Sequence, residues 1–258
     1  MAQLQGQTNA LTLPNPTGEG QATPTTYRSG KFNELYTLNP FPTKHMAALS
    51  GNYYTAVNAA AAAVTSLTGL TEASPLLIVE NTFAGAGIGP NILLDYVRIK
   101  ATAIAAAGVD WQYGWKLDNV RQKWGSAGSA PAPQNANMGI ANASFAQINF
   151  GALVVVTAKQ SSANARLIQS DYLACTATAP AQVIGDTAEF RFGSLESAMT
   201  LTTDDAALTT GAHLHPLNYP VTLGPVVLTP GTTATLFVWG TSEGSAPSYT
   251  LNMGWYEY

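Results

Sequence analysis

A single cysteine, Cys175, stands in the 258 residues, which excludes an internal disulfide framework and leaves no second thiol to set up zinc spacing. Its expected role is that of a small buried hydrophobe. Charge is almost as scarce: 10% of residues are charged and the net charge is −4, so no basic surface exists to neutralise phosphates, and nucleic acid is not an expected partner. An ordinary soluble domain keeps about a quarter of its residues charged. A surface this poor in charge points to packing against copies of the chain or against partners. No segment approaches the ~18 apolar residues of a membrane span. The opening "MAQLQGQTNALTLPNPTGEG" has neither a basic nor an apolar leader region, so the expectation is synthesis in a cytoplasm and no membrane partner. No fixed-period repeat and no catalytic motif is present.

Proline and glycine, by contrast, crowd the first 45 residues: Pro14, Pro16, Pro24, Pro40 and Pro42, with Gly18, Gly20 and Gly30. That density denies a helix or a sheet interior and predicts an extended arm over residues 1–45, followed by a β-sandwich over 46–258. The arm carries aromatic anchors at Tyr27, Phe32, Tyr36 and Phe41, which suit contact with its own domain or a neighbour's. A disordered terminus is the plainer reading.

Alanine richness in "YYTAVNAAAAAVTSLT" predicts one short helix over 53–68, ended by Gly69. Beyond it the period changes to two. "PLLIVEN" reads as a buried strand, and "ILLDYVRIKATA" sets Val97, Ile99 and Ala101 against Tyr96, Arg98 and Lys100. The segments 109–119, 145–158, 165–177 and 188–194 continue the pattern between Gly, Ser, Asn and Pro clusters, the punctuation of an all-β sandwich. The connection from Gly125 to Ser144 is long enough to be a candidate interaction loop.

In "PVVLTPGTTATLFVWG", Pro230 and Gly231 supply a type II turn. The strand after it has two apolar faces, Ala234, Leu236 and Val238 on one and Phe237 and Trp239 on the other. A sandwich covers only one of them, so the arm, a loop or a neighbouring subunit must cover the second. The closing "YTLNMGWYEY" alternates cleanly, with Tyr249, Leu251, Met253 and Trp255 on one side, and suits an interior strand better than an edge.

These two stretches, with "LLIVENT" and "ILLDYVRIKATA", resemble the jelly-roll structural proteins of tailed bacteriophages, in particular capsid cement or decoration proteins; the resemblance covers mainly residues 75–258. It implies a jelly-roll-like fold and a homotrimer on the outside of a head. It also implies extended N-terminal segments gripping the major capsid protein shell, and so a virion location, with no enzyme activity and no cofactor. It transfers no functional residue.

Sites of chemistry are sparse. His213 and His215 in "HLH" would share one strand face about 7 Å apart, within reach of one metal; surface histidines are the alternative. Asp204 and Asp205 read as a solvated turn, and "GAGIGP" lacks a phosphate-loop fingerprint. Glu80, Asp95, Asp110, Asp118 and Glu189 stand singly on strands, with nothing to fix a glycosidase separation. Trp111, Tyr113 and Trp115 share parity, so they either fill the core or present three rings to a sugar. The second functional expectation is therefore a receptor- or carbohydrate-binding head of a fibre or spike; a hydrolase on a β scaffold is the third.

Overall fold

A computed structural model describes residues 44–66, 68–84, 89–103, 109–160, 164–174, 183–193, 218–241 and 245–258. Residues from Lys44 to Tyr258 form one compact unit. Of the expected arm only Lys44 and His45 are described; Tyr27, Phe32, Tyr36 and Phe41 lie outside the described residues, as do Cys175, Asp204, Asp205, His213 and His215.

Among the described residues one short α-helix, α1 (Lys44–Leu49), precedes fourteen strands: β1 (Tyr53–Ala63), β2 (Leu77–Asn81), β3 (Ile92–Ala103), β4 (Trp111–Asp118), β5 (Trp124–Ser126), β6 (Gln134–Asn135), β7 (Ala146–Phe150), β8 (Val154–Val155), β9 (Arg166–Ala174), β10 (Thr187–Phe192), β11 (Asn218–Leu223), β12 (Val227–Leu228), β13 (Thr233–Gly240) and β14 (Ser248–Glu257). The chain is an all-β, jelly-roll-like sandwich. A seven-stranded sheet runs β11-β10-β3-β14-β1-β6 with β12 beside β3, and a five-stranded sheet runs β7-β2-β13-β4-β9. Successive strands β1 to β4 alternate between the two sheets, so the core forms from contacts distant in sequence. Period-2 side chains of both sheets meet there, with Val97, Ile99, Leu251, Met253 and Trp255 from one and Leu77, Val79, Trp115, Leu236 and Val238 from the other.

The alanine-rich stretch corrects the expected helix: Tyr53–Ala63 is strand β1. Alanine's helix propensity is worth only a few tenths of a kcal/mol per residue over most alternatives, and tertiary pairing outweighs it. β1 pairs with β14 from Tyr53↔Tyr256 to Ala63↔Ser248, and Tyr54 stacks on Trp255 with centroids 6.0 Å apart. Helix α1 lies just before it.

The closing segments behave as their parity requires. Thr232 N–H bonds to Thr229 O at 3.0 Å and Gly231 takes φ 81°, the left-handed position of the expected turn. β14 pairs with β1 on one side and β3 on the other, an interior position. The second apolar face of β13 is covered by the chain's own loops. Thr235, Phe237 and Trp239 are buried. Ser66 forms a bridge with Trp239, and Glu72 reaches the neighbouring Lys116 as an ion pair. Ile78 packs with Leu153, Val155 and Trp124 on the same side. The Gly125 to Ser144 connection is likewise engaged with its own domain: β6 pairs with Tyr54 and Thr55, and the Asn135 amide donates to Gly51 O at 2.9 Å.

Candidate functional site: the outer face of the seven-stranded sheet

The small sheet's outer face is covered over β2 and β13, with Leu167 and Tyr172 of β9 exposed; the large sheet's outer face is the more open one, and cross-strand register assembles it in rows. One row is Tyr53–Tyr256–Leu93–Val227; the next is Thr55–Gly254–Tyr96–Arg191; the third is Val57–Asn252–Arg98–Glu189. Residues distant in sequence thus become neighbours at strand spacing.

A bulge in β3 enriches this face. Tyr96 pairs with Gly254 and Leu94 with Trp255, so Asp95 is an extra residue against β14. Leu94 and Val97 both point into the core, which leaves Asp95 and Tyr96 together on the outer side. The Tyr53 hydroxyl donates to Asp95 Oδ2 at 2.7 Å, and Lys44 Nζ pairs with the same oxygen at 2.8 Å. The Tyr96 hydroxyl donates to Asn252 Oδ1 at 2.8 Å.

Glycine is needed at 254 for this arrangement. A Cβ there would lie 2.4 Å from Tyr53 Oη and 2.7 Å from Tyr96 Cε1, so the two rings cross the strand only because no side chain stands between them.

Beside the tyrosines, Glu189 is gripped from both sides: Arg98 Nε donates to one oxygen at 2.9 Å and Arg191 Nε to the other at 2.8 Å. Burial works to raise the Glu189 pKa, but the hydrogen bonds and charges of Arg98 and Arg191 outweigh it and hold the carboxyl below its ordinary value. Burial, followed by the hydrogen bond to Asp95 and that group's negative charge, pushes the Tyr53 phenol well above its usual range; burial likewise raises Tyr256. Lys44 and Arg98 both sit over the Tyr96 ring, 5.8 and 5.9 Å from its centroid.

Asp95, Tyr96, Arg98, Glu189, Arg191 and Tyr256 line an open groove of about 670 Å³, bounded on the far side by Phe192, Pro225 and Val226. Val227 is exposed in its lining, and Val57 and Tyr258 are exposed elsewhere. The groove offers aromatic edges, fixed hydrogen-bonding groups and charges already held in pairs, features suited to recognition.

The sequence-predicted site residues go elsewhere. Trp111, Tyr113 and Trp115 are fully buried; Tyr113 and Trp115 pack edge-on against Phe190 at 5.0 and 5.5 Å, so these three rings fill the core and do not form a surface platform. Phe237 and Trp239 are buried under the covering loops, with the Trp239 ring against Gly114. The candidate metal pair His213 and His215 lies outside the described residues; among the described residues no group of three or more His, Cys, Asp or Glu is placed to hold a metal. Four of the five single carboxylates sort into two places. Asp95 and Glu189 stand on the open face, whereas Glu80 and Asp118 flank Thr233 on the covered face.

Sequence reading missed the groove. The signal that was present is the Tyr96, Arg98, Lys100 parity of β3; the register that adds Tyr53, Tyr256 and Glu189 is a product of pairing. No family model, curated protein or solved structure matches the chain.

Proposed function

We propose that the chain is a virion structural protein of the capsid cement or decoration type, which bridges shell subunits as an oligomer through the outer face of its seven-stranded sheet. The observation that carries this reading is the contrast between the two outer faces. On one, the chain's own segments cover β2 and β13, leaving Leu167 and Tyr172 of β9 exposed; the other leaves a tyrosine- and arginine-lined groove with Val227 exposed in its lining and Val57 and Tyr258 exposed elsewhere. Tyrosine and arginine are the residue types that most often anchor protein interfaces. The chain's low charge and the phage-protein resemblance of residues 75–258 support the same reading. No chemical step is involved: repeated by symmetry, individually weak contacts become a stable lattice through multivalency.

The test combines sedimentation equilibrium, for the oligomer, with co-sedimentation on empty heads of the phage that encodes the chain. The expected species is a trimer that coats the shells, and Tyr96→Ala with Arg98→Glu removes the coating. Full-affinity coating by that double variant defeats the proposal.

A second reading, a receptor- or carbohydrate-binding head, moves from the buried tryptophans to this groove. The observation that favours it is the placement of Tyr96 and Tyr256 beside Asp95, Asn252 and the Arg98–Glu189 pair, rings next to fixed polar groups. Glycan-array binding that is lost in Tyr96→Ala, together with absent shell binding, would select it.

A further inference from the structure

On the covered face of the five-stranded sheet, the side chains of Lys123 and Asp118 are both wholly buried, with Nζ 3.2 Å from Oδ2. Lysine is among the residues least often fully buried, and an ion pair removed from water recovers its desolvation only with good geometry and further partners.

The surroundings are built to hold this contact. Asp118 ends β4 and stands in one cross-strand row with Thr233 and Glu80. The buried Glu80 carboxylate accepts the Gln122 N–H at 2.7 Å, directly before Lys123. Gln122 takes φ 52°, a left-handed conformation unusual for a residue with a side chain, so the loop is bent against its preference in order to return Lys123 to Asp118. Lys123 O in turn accepts the Val156 N–H at 3.1 Å, and this fixes the far side. Between the two acids, the Thr233 hydroxyl is buried without a hydrogen-bond partner.

An amine held against a carboxyl group in a water-excluded, rigid site is in the arrangement that an acyl condensation needs. We propose that Lys123 and Asp118 join as an intramolecular isopeptide bond. Proton transfer across the contact gives an amine and a carboxylic acid; Lys123 Nζ attacks Asp118 Cγ, the C–N bond forms, the C–O bond breaks and one water leaves with the displaced hydroxyl and an amine proton. No oxidant, cofactor or second substrate enters the balance. The product exchanges a desolvated ion pair for a neutral amide, and the Thr233 hydroxyl becomes an available donor to its carbonyl. The link would close the turn between β4 and β5. It is independent of the proposed function.

Intact-mass measurement of the full-length protein under denaturing conditions tests the proposal. The expected mass is one water below the sequence mass, trypsin fails to cleave after Lys123, and tandem mass spectrometry places the link between Asp118 and Lys123. The Lys123→Arg variant keeps a cation for Asp118 and should show the full sequence mass. A wild-type mass equal to the sequence, or free cleavage after Lys123, overturns the proposal. So does a deficit that persists in Lys123→Arg, which would be a succinimide at an aspartate.

Discussion

The Tyr53 hydroxyl reaches the Asp95 carboxylate, 2.7 Å away, through the space that a Cβ on Gly254 would fill. A backbone position on β14 therefore controls a contact between β1 and the β3 bulge. Gly254→Ala forces the Tyr53 and Tyr96 rings aside and should cost about 2 kcal/mol, in the range for overpacking a close contact. Tyr53→Phe alone should cost about 1 kcal/mol, because Asp95 keeps Lys44. In the double variant the atom nearest the new methyl is gone, so the two losses should sum to less than their parts. Denaturant melts of the four proteins measure this coupling; strict additivity would show that the crossing is not as tight as described.

Trp115 is buried in the core against Phe190 and Phe192. Its removal in Trp115→Ala should destabilise the fold by about 3–5 kcal/mol, the usual range for a large aromatic. Acrylamide should quench little of the native tryptophan emission, since Trp111, Trp115, Trp239 and Trp255 are all buried and only Trp124 is partly exposed. Strong quenching of most of the emission in the folded protein would contradict this burial.

Strand β1 yields a prediction that separates it from a helix. Ala63 is exposed and pairs with Ser248. A β-branched residue there loses rotamer freedom in a helix but suits a pleated strand, so Ala63→Val should leave stability unchanged or raise it by up to about 0.5 kcal/mol. A clear loss in thermal melts would favour the helical expectation.

The contrast between β1 and the other strands shows what sequence made legible. Segments such as β3 and β14 alternate apolar and polar side chains, and a half-buried sheet imposes that period, so their faces could be assigned residue by residue. Five consecutive alanines carry no such contrast; intrinsic propensity then points to a helix, and only pairing with β14 decides otherwise. The same limit applies to the tryptophans. Their shared parity was readable, but whether that face looks inward depends on the opposing sheet. The groove was the least legible feature. It joins Tyr53, Asp95, Tyr256 and Glu189 through the register of four strands and a one-residue bulge, none of which leaves a mark in the local pattern.

Glu189 gives the face a pH signature. Burial opposes its ionisation, yet the bonds and charges of Arg98 and Arg191 leave its folded pKa below the ordinary value. The unfolded chain therefore takes up the proton first as pH falls. The stability Glu189 contributes is full above the ordinary glutamate range, about pH 4 to 5, and is lost as pH drops through the depressed folded value. Arg98 and Arg191 are 43% and 37% exposed, so solvent screens the pairs and the contribution should be on the order of 1 kcal/mol. Thermal melts of wild type and Glu189→Gln should differ most near neutral pH and converge in acid, and the gap should narrow with added salt. Parallel pH profiles for the two proteins would mean that the arginine grip on Glu189 contributes nothing to the fold. The face would then hold its charges ready for a partner without drawing stability from them.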